Sequence, residues 1–379
     1  MKKKKICFVV SSPSSARWFF RDHMENLSSK YEVHLVANFN DPKNDLEGFV
    51  IDGYKDIKIE RRLSFRKDVK SLFQLIVYFK EMKFDVIHTM ASKPSLLAAI
   101  AGFFVRVPIR IRIFTGQLWC NMKGVKRLLF KTIDKLTVSL NTVSMADGSS
   151  QMDYLVQQGI VKKGQGIVLA NGSICGVDTN RFSFDADIRE RYRRELNLIN
   201  KTVYIFVGRH KTEKGVNELL EAFSNLYFNH NDSVLLFVGT DEEGCKERLS
   251  AYNNLVDGEN VIFYGATRTP EYLLMAADVF CLPSYREGFG LSVLEASCIG
   301  LPVICSDVYG MKDTMINNKT GLRCKVRDSQ SLEKCMDLLY NDASLRKSMG
   351  EYGHKMVVDK FSKELVISEW FKFYSNLLD

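Results

Sequence analysis

Short Val- and Ile-rich runs alternate along this chain with longer amphipathic segments. A continuous apolar run bounded by turn residues suits a strand covered on both faces, as parallel sheets are. Helical segments between such runs supply the crossovers that parallel strands need, so the pattern predicts an α/β architecture. Strands are expected at Ile6–Ser11, Glu32–Ala37, Asp85–His88, Ile109–Phe114 and Gly166–Leu169, and then at Val203–Val207, Ser233–Val238, Val261–Tyr264, Val279–Leu282 and Pro302–Cys305. A chain of 379 residues is long for one core and natural for two. The boundary is expected within Arg181–Asn200, giving a first domain over 1–185 and a second over 186–360. A terminal helix over 361–379 places Leu365, Trp370, Phe373 and Leu377 at helical spacing.

Composition removes several function classes. Nine cysteines without a Cys-x-x-Cys speak against a disulfide framework or zinc ribbon and for a reducing compartment. The opening Met1–Val10 has too short an apolar stretch for a signal peptide and reads as the first buried strand. No stretch approaches the ~20 apolar residues of a membrane span. The longest candidate, Leu96–Val105, is bracketed by Lys93 and Arg106 and reads as a core helix. Gly164-Gln165-Gly166 lacks the third glycine of a dinucleotide fingerprint and does not follow the first strand.

Charge divides unevenly. Residues 1–185 hold 29 Lys and Arg against 17 Asp and Glu, and the remainder holds 24 against 28. A basic half beside an acidic half points to a polyanion facing the first. Lys123, Lys126, Arg127 and Lys131 alternate with Leu128, Leu129 and Phe130, the pattern of a helix lying on an anionic bilayer. A solvated helix with one core face has the same pattern. Nucleic acid is not expected, because no binding module accompanies the charge.

The densest chemistry lies between Leu282 and Ile304. An apolar run ends at Leu282-Pro283-Ser284; Glu287-Gly288-Phe289-Gly290 comes next, and a helix starts at Leu291 with Glu295 on it. Small residues after a parallel strand let a phosphate approach the backbone, where the helix N-terminus offers unpaired N–H groups. Upstream, Val207-Gly208-Arg209-His210-Lys211-Thr212-Glu213-Lys214-Gly215 ends another strand with two cations five residues apart. Arg209 as a bidentate fork and Lys214 as a point charge can bracket a diphosphate. His210 reads as a surface imidazole.

Glu287-x7-Glu295, set among Pro283-Ser284, Gly288, Gly290, Ala296 and Gly300-Leu301-Pro302, resembles the signature of retaining glycosyltransferases of family four, and Gly208-Arg209…Lys214-Gly215 is similar to their Gly-Arg…Lys-Gly element. The resemblance implies the GT-B fold, two Rossmann-like domains facing a central cleft, with the C-terminal helix crossing back to the first. It implies that Arg209 and Lys214 neutralise a departing nucleoside diphosphate. Glu287 would hold donor-sugar hydroxyls and Glu295 the ribose. Gly208 and the backbone of Gly288, Phe289, Gly290 and Leu291 would line the donor site. No metal and no cofactor is implied, the donor being a nucleotide sugar, here a UDP-sugar carrying a hexose or N-acetylhexosamine.

In the first domain, Ile87-His88-Thr89…Lys93-Pro94 and Asn171-Gly172-Ser173…Gly176-Val177-Asp178 resemble stretches of bacterial transferases that extend lipid-linked saccharides in capsule and O-antigen assembly. The acceptor this implies is a polyprenyl-diphosphate-linked saccharide, met by a peripheral enzyme on the cytoplasmic face of the plasma membrane. His88, Lys93, Thr115 and Gly116 are candidates for acceptor or donor-sugar contact, His88 being equally compatible with a packed strand-end histidine. Two departures are plain: Ser11-Ser12-Pro13 replaces a Gly-Gly turn, and Phe114-Thr115-Gly116-Gln117 stands where many relatives have a histidine. A sugar-nucleotide epimerase, a transferase with a soluble acceptor and a non-catalytic GT-B module stay open as alternatives.

Overall fold

The computed structural model describes residues 3–60 and 64–379. The chain divides into two compact units, residues 1–176 with 363–379, and residues 177–362. The first contains β1 (Lys5–Val9), α1 (Pro13–Phe19), α2 (Arg21–Ser28), β2 (Glu32–Ala37), α3 (Pro42–Asp45) and β3 (Gly53–Asp56). It continues with α4 (Phe65–Met82), β4 (Val86–Met90), α5 (Ser92–Phe104), β5 (Ile109–Phe114) and α6 (Gly124–Leu140). β6 (Val143–Ala146), α7 (Ser149–Gln157) and β7 (Gly166–Ile167) complete the run. All its strands pair in parallel, in the order β3-β2-β1-β4-β5-β6-β7.

Alternation along β1 shows how this sheet is covered. Ile6 and Phe8 enter one core with Phe20, Met24 and Leu27; Cys7 and Val9 enter another with Leu75, Phe79 and Ala98. Successive side chains point to opposite faces, and both faces are buried.

The second unit runs α8 (Ala186–Glu195), β8 (Thr202–Val207), α9 (Val216–Asn229), β9 (Ser233–Val238), β10 (Val261–Gly265), α10 (Pro270–Ala276) and β11 (Val279–Leu282). Then come α11 (Leu291–Ile299), β12 (Val303–Ser306), α12 (Tyr309–Lys312), β13 (Gly321–Cys324), α13 (Ser329–Asn341) and α14 (Ala343–Phe361). Its parallel order is β10-β9-β8-β11-β12-β13. Both units are therefore Rossmann-like. The last helix, α15 (Lys363–Leu378), buries Val366, Trp370 and Tyr374 in the first unit's core and packs along α2.

The division falls after Gly176, ahead of the 185 read from the sequence. Val177 bridges Ser362, its N–H donates to the Phe361 carbonyl at 2.8 Å, and Phe182 is buried in the second unit's core. β3, β6 and β13 were not expected. Gly53-Tyr54-Lys55-Asp56 is half exposed on a sheet edge, and the other two are four residues long, so none presents an apolar run.

Candidate active site

In an open parallel sheet the crevice for a ligand lies at the carboxyl ends of the two strands where the order reverses direction. In the second unit those strands are β8 and β11, which pair directly through Tyr204–Val279 and Ile205–Phe280. The loop 208–215 leaves one and the loop 283–290 leaves the other, so the two sequence motifs emerge side by side.

Three contacts stitch the loops together. The Tyr285 N–H donates to the Glu213 carbonyl at 2.9 Å, Arg286 reaches the Glu213 carboxylate at 3.0 Å, and Lys214 pairs with Glu287. Gly215 has a positive φ of 75°, and a Cβ there would lie 2.1 Å from the Pro283 carbonyl oxygen, so only glycine permits this approach. Glu287 Oε1 accepts from Lys214 Nζ and, at 2.9 Å, from the hydroxyl of the fully buried Ser284. Its Oε2 makes no hydrogen bond among the described residues. Arg209 sits about half exposed, 3.6 Å from Glu242, which also pairs with Lys211 at 2.6 Å. Serving both cations, Glu242 is held below the ordinary glutamate range, Lys211 having the larger influence.

The turn before α11 is closely packed. A Cβ on Gly290 would meet Met311 Sδ at 2.7 Å, and one on Gly310 would meet the Glu287 and Gly288 carbonyl oxygens at 2.4 and 2.6 Å. α11 begins with no side-chain cap and no acidic residue in its first turn. Its positive end is open to an anion. The Leu291 N–H, expected to face a ligand, instead donates to the Phe289 carbonyl at 2.9 Å. Phe289 leans on Phe361, with ring centroids 5.9 Å apart.

Glu295 lies on α11 beyond that turn. Burial pushes its carboxyl up to about 7; Arg181 pulls it down and Glu271 adds to the rise. Arg181 itself pairs with Glu271 at 2.8 Å. Neither Arg181 nor Glu271 was anticipated, since nothing in spacing links them to Glu295. Ser284, Glu213 and Glu242 were likewise not assigned roles, although Glu213 and Ser284 stand within the motifs.

His210 corrects its reading as a surface imidazole. It is 1% exposed, enclosed by Phe206, Phe237 and Phe263 at 5.3–5.9 Å between ring centroids. Burial lowers its pKa and favours the neutral ring.

The first-unit candidates disperse. His88 has no exposed surface; it hydrogen-bonds Tyr374 through Nδ1 and packs against Phe8, Phe20 and Trp370. This corrects its candidacy for sugar contact: β4 turns it into the core under α15, and burial drives its pKa well down. Lys93, on the first turn of α5, pairs with Asp68 of α4. Thr115 and Gly116 do lie at the carboxyl end of β5, partly exposed, with Gly116 at φ 104°. Lys123, just ahead of α6, and Lys126 on it are exposed, whereas Arg127 and Lys131 turn to Gln158 at 2.8 and 3.1 Å, beside the Trp119 ring. Phe130 packs against a core cluster and is not outward-facing.

Residues 188–356 match the family model "Glycosyl transferases group 1". Among curated relatives, the capsular polysaccharide biosynthesis glycosyltransferase CapM of Staphylococcus aureus is 29% identical over 100% of this chain and 98% of its own. The N,N'-diacetylbacillosaminyl-diphospho-undecaprenol alpha-1,3-N-acetylgalactosaminyltransferase of Campylobacter jejuni is 24% identical, covering 82% of each. The UDP-Gal:alpha-D-GlcNAc-diphosphoundecaprenol alpha-1,3-galactosyltransferase of Escherichia coli is 25% identical over 84% of this chain and 82% of its own. Among solved structures, sucrose-phosphate synthase of Thermosynechococcus elongatus superposes with a TM-score of 0.80 at 20% identity, covering 99% of each chain. HepE of Anabaena in complex with UDP-glucose gives 0.81 at 17% identity, covering 98% of this chain and 99% of that one. The likeness to these structures concerns the fold, which is that of GT-B glycosyltransferases with two parallel-sheet Rossmann-like units. The chain is a glycosyltransferase.

Proposed function

We propose that this glycosyltransferase moves a hexose or N-acetylhexosamine from a UDP-sugar to a polyprenyl-diphosphate-linked saccharide, with retention, making an α-linkage in the assembly of a bacterial surface polysaccharide. The observation that carries the reading is the stitched pair of loops at the switch point, which sets Lys214 and Glu287 side by side on the loops that leave β8 and β11, with Arg209 at the start of the first. Breaking a glycosyl–phosphate bond requires charge stabilisation on the departing diphosphate more than a strong base. Arg209, Lys214 and the open N-terminus of α11 supply that charge. Glu287, already oriented by Ser284 and Lys214, presents Oε2 to donor hydroxyls. Glu295, with its raised pKa, offers a carboxyl group to the ribose hydroxyls. An acceptor hydroxyl attacking from the leaving-group face passes its proton to a diphosphate oxygen, so that the new bond keeps the donor's configuration. These groups neutralise the diphosphate without a metal.

Support for the donor and acceptor classes comes from the relatives named for UDP-galactose and for diphospho-undecaprenol saccharides. No helix of the described residues is long and apolar enough to cross a membrane. The enzyme would meet such an acceptor peripherally, from the cytoplasmic side, through the basic first unit and the exposed Lys123, Lys126, Val125, Leu128 and Leu129 of α6.

Incubation of the protein with a panel of UDP- and GDP-sugars, with and without a short-chain polyprenyl-diphosphate saccharide, tests the reading. Transfer from one UDP-sugar that depends on the acceptor, with an α-anomeric product by NMR, is the expected result. Epimerised nucleotide sugar formed without acceptor would overturn it, as would transfer to a free sugar in preference to the lipid.

A further inference from the structure

α4 presents to solvent a face that a helix on a soluble domain would make polar. Phe65, Val69, Phe73 and Val77 recur every four residues and are 84, 49, 66 and 38% exposed. Ser71, Leu75, Tyr78 and Phe79 fill the opposite side, against the sheet and α5. The helix is thus apolar both toward its core and away from it. Arg66, Lys67, Lys70 and Lys80 flank the outward stripe, and of the two acids on this helix Glu81 is exposed and Asp68 half-buried.

Beside the stripe, toward β3, lies a cavity of about 420 Å³ lined by Lys58, Lys67, Lys70, Asp56, Glu60 and Ser71. Its acidic groups are already engaged. Asp56 accepts the Phe39 N–H at 3.1 Å, and Glu60 pairs with Lys67 at 2.6 Å. The Ser71 hydroxyl donates to the Lys58 and Lys67 carbonyls, holding the two walls together. Lys58 and Lys70 have no ion-pair partner among the described residues. An apolar stripe beside a lysine-lined recess has the charge and polarity order of an anionic lipid: acyl chain next to phosphate.

We propose that the outward face of α4 docks on a bilayer of anionic phospholipid, with Phe65, Val69, Phe73 and Val77 entering the acyl boundary and Lys58 and Lys70 holding headgroup phosphates. The inference rests on the reading of a membrane-associated transferase, and it adds to α6 a second contact, on α4 and its neighbouring cavity. α5 packs against both α4 and α6, so the two outward faces belong to one helical layer.

The test is co-sedimentation with phosphatidylglycerol–phosphatidylcholine vesicles, against pure phosphatidylcholine, across a salt series. Each of Phe65→Ser and Phe73→Ser lowers partitioning roughly tenfold on the anionic vesicles. Each of Lys58→Gln and Lys70→Gln lowers it about fivefold, and only where phosphatidylglycerol is present. The thermal midpoint and UDP-sugar hydrolysis stay unchanged, because these side chains lie at the surface. If the wild type binds and the α4 variants bind equally well, while Lys123→Gln/Lys126→Gln does not, the α4 assignment is wrong and the membrane reading stands on α6. If the wild type ignores anionic vesicles at low salt, both fail. If Phe73→Ser abolishes a self-association of the wild type without affecting vesicles, the face is a contact between copies and the proposal is overturned.

Discussion

The two units repeat one plan, a parallel sheet whose order reverses once, and they furnish that reversal differently. In the second unit the strands on either side, β8 and β11, end in loops carrying Arg209, Lys214 and Glu287. In the first unit the corresponding strands are β1 and β4, which run into Ser11-Ser12 and Ala91, the latter at φ 69°. His88, on β4, is turned under α15 and hydrogen-bonded to Tyr374, and Lys93, just past Ala91, is paired with Asp68. A fixed set of charges suits a ligand that always carries a diphosphate. On the proposed function, a first-unit switch point that begins with Ser11-Ser12 and Ala91 would leave room for a variable saccharide, and the fold would separate the constant part of the chemistry from the adaptable part.

The sharpest way to break this comparison is to strip the second unit of its cations. Arg209→Ala and Lys214→Ala each lower kcat/KM for transfer by roughly 10²–10³. Steady-state kinetics measure this, and near-normal turnover in both variants would remove the diphosphate clamp. Glu287→Gln lowers kcat by roughly 10², as the proposed place beside the reacting sugar requires. A change confined to KM would exchange its role with that of Glu295.

The contrast sharpens at His88. His88→Phe strands the buried Tyr374 hydroxyl and costs about 1–3 kcal/mol of stability. Urea titration measures that loss, while transfer below the unfolding transition is retained. Loss of transfer without loss of stability would return His88 to the active site.

This difference between the units explains how much the sequence disclosed. The residues proposed for the donor lie within two contiguous motifs, and parallel pairing of β8 with β11 brings the motifs together automatically. Strands with long apolar runs, such as Ser233–Val238, were legible for the same reason: local sequence and burial agree. What stayed hidden depends on contacts far apart in the chain. His88 meets Tyr374 across 286 positions, and Arg181 meets Glu271 across 90. His210 lies just past a strand end, where exposure is the usual expectation, yet three phenylalanines from β8, β9 and β10 enclose it.

Glu295 gives a smaller effect with a defined sign. Its carboxyl holds a proton up to about pH 7 in the folded protein, against an ordinary 4.5. Its contribution to stability is fully present below about 4.5 and is lost as pH rises through about 7. Glu295→Gln flattens that portion of the stability–pH curve. It also raises KM for the donor by about tenfold, the loss of one hydrogen bond to a bound hydroxyl. An unchanged pH profile would show that Glu295 is not the titrating group.

The smallest effect concerns α6. Lys123→Gln and Lys126→Gln each weaken binding to anionic vesicles about fivefold. Arg127→Gln and Lys131→Gln change vesicle binding less and thermal stability more, because their charges are turned to Gln158 and Trp119. Equal effects of all four on vesicle binding would mean that the helix presents a single cationic face.

The first unit is not continuous along the chain. Its core is closed by Trp370 and Tyr374, which are synthesised after the whole of residues 177–362, the span that makes up the second unit. On a ribosome the second unit can therefore be complete before the first. Until residues 363–379 arrive, Phe8, Phe20 and His88 lack their cover, and the nascent first unit exposes an apolar face of the kind that chaperones retain. Completion of α15 is thus the event that matures the first unit, and a chain stopped at Ser362 would keep Arg209, Lys214 and Glu287 while leaving that apolar face uncovered.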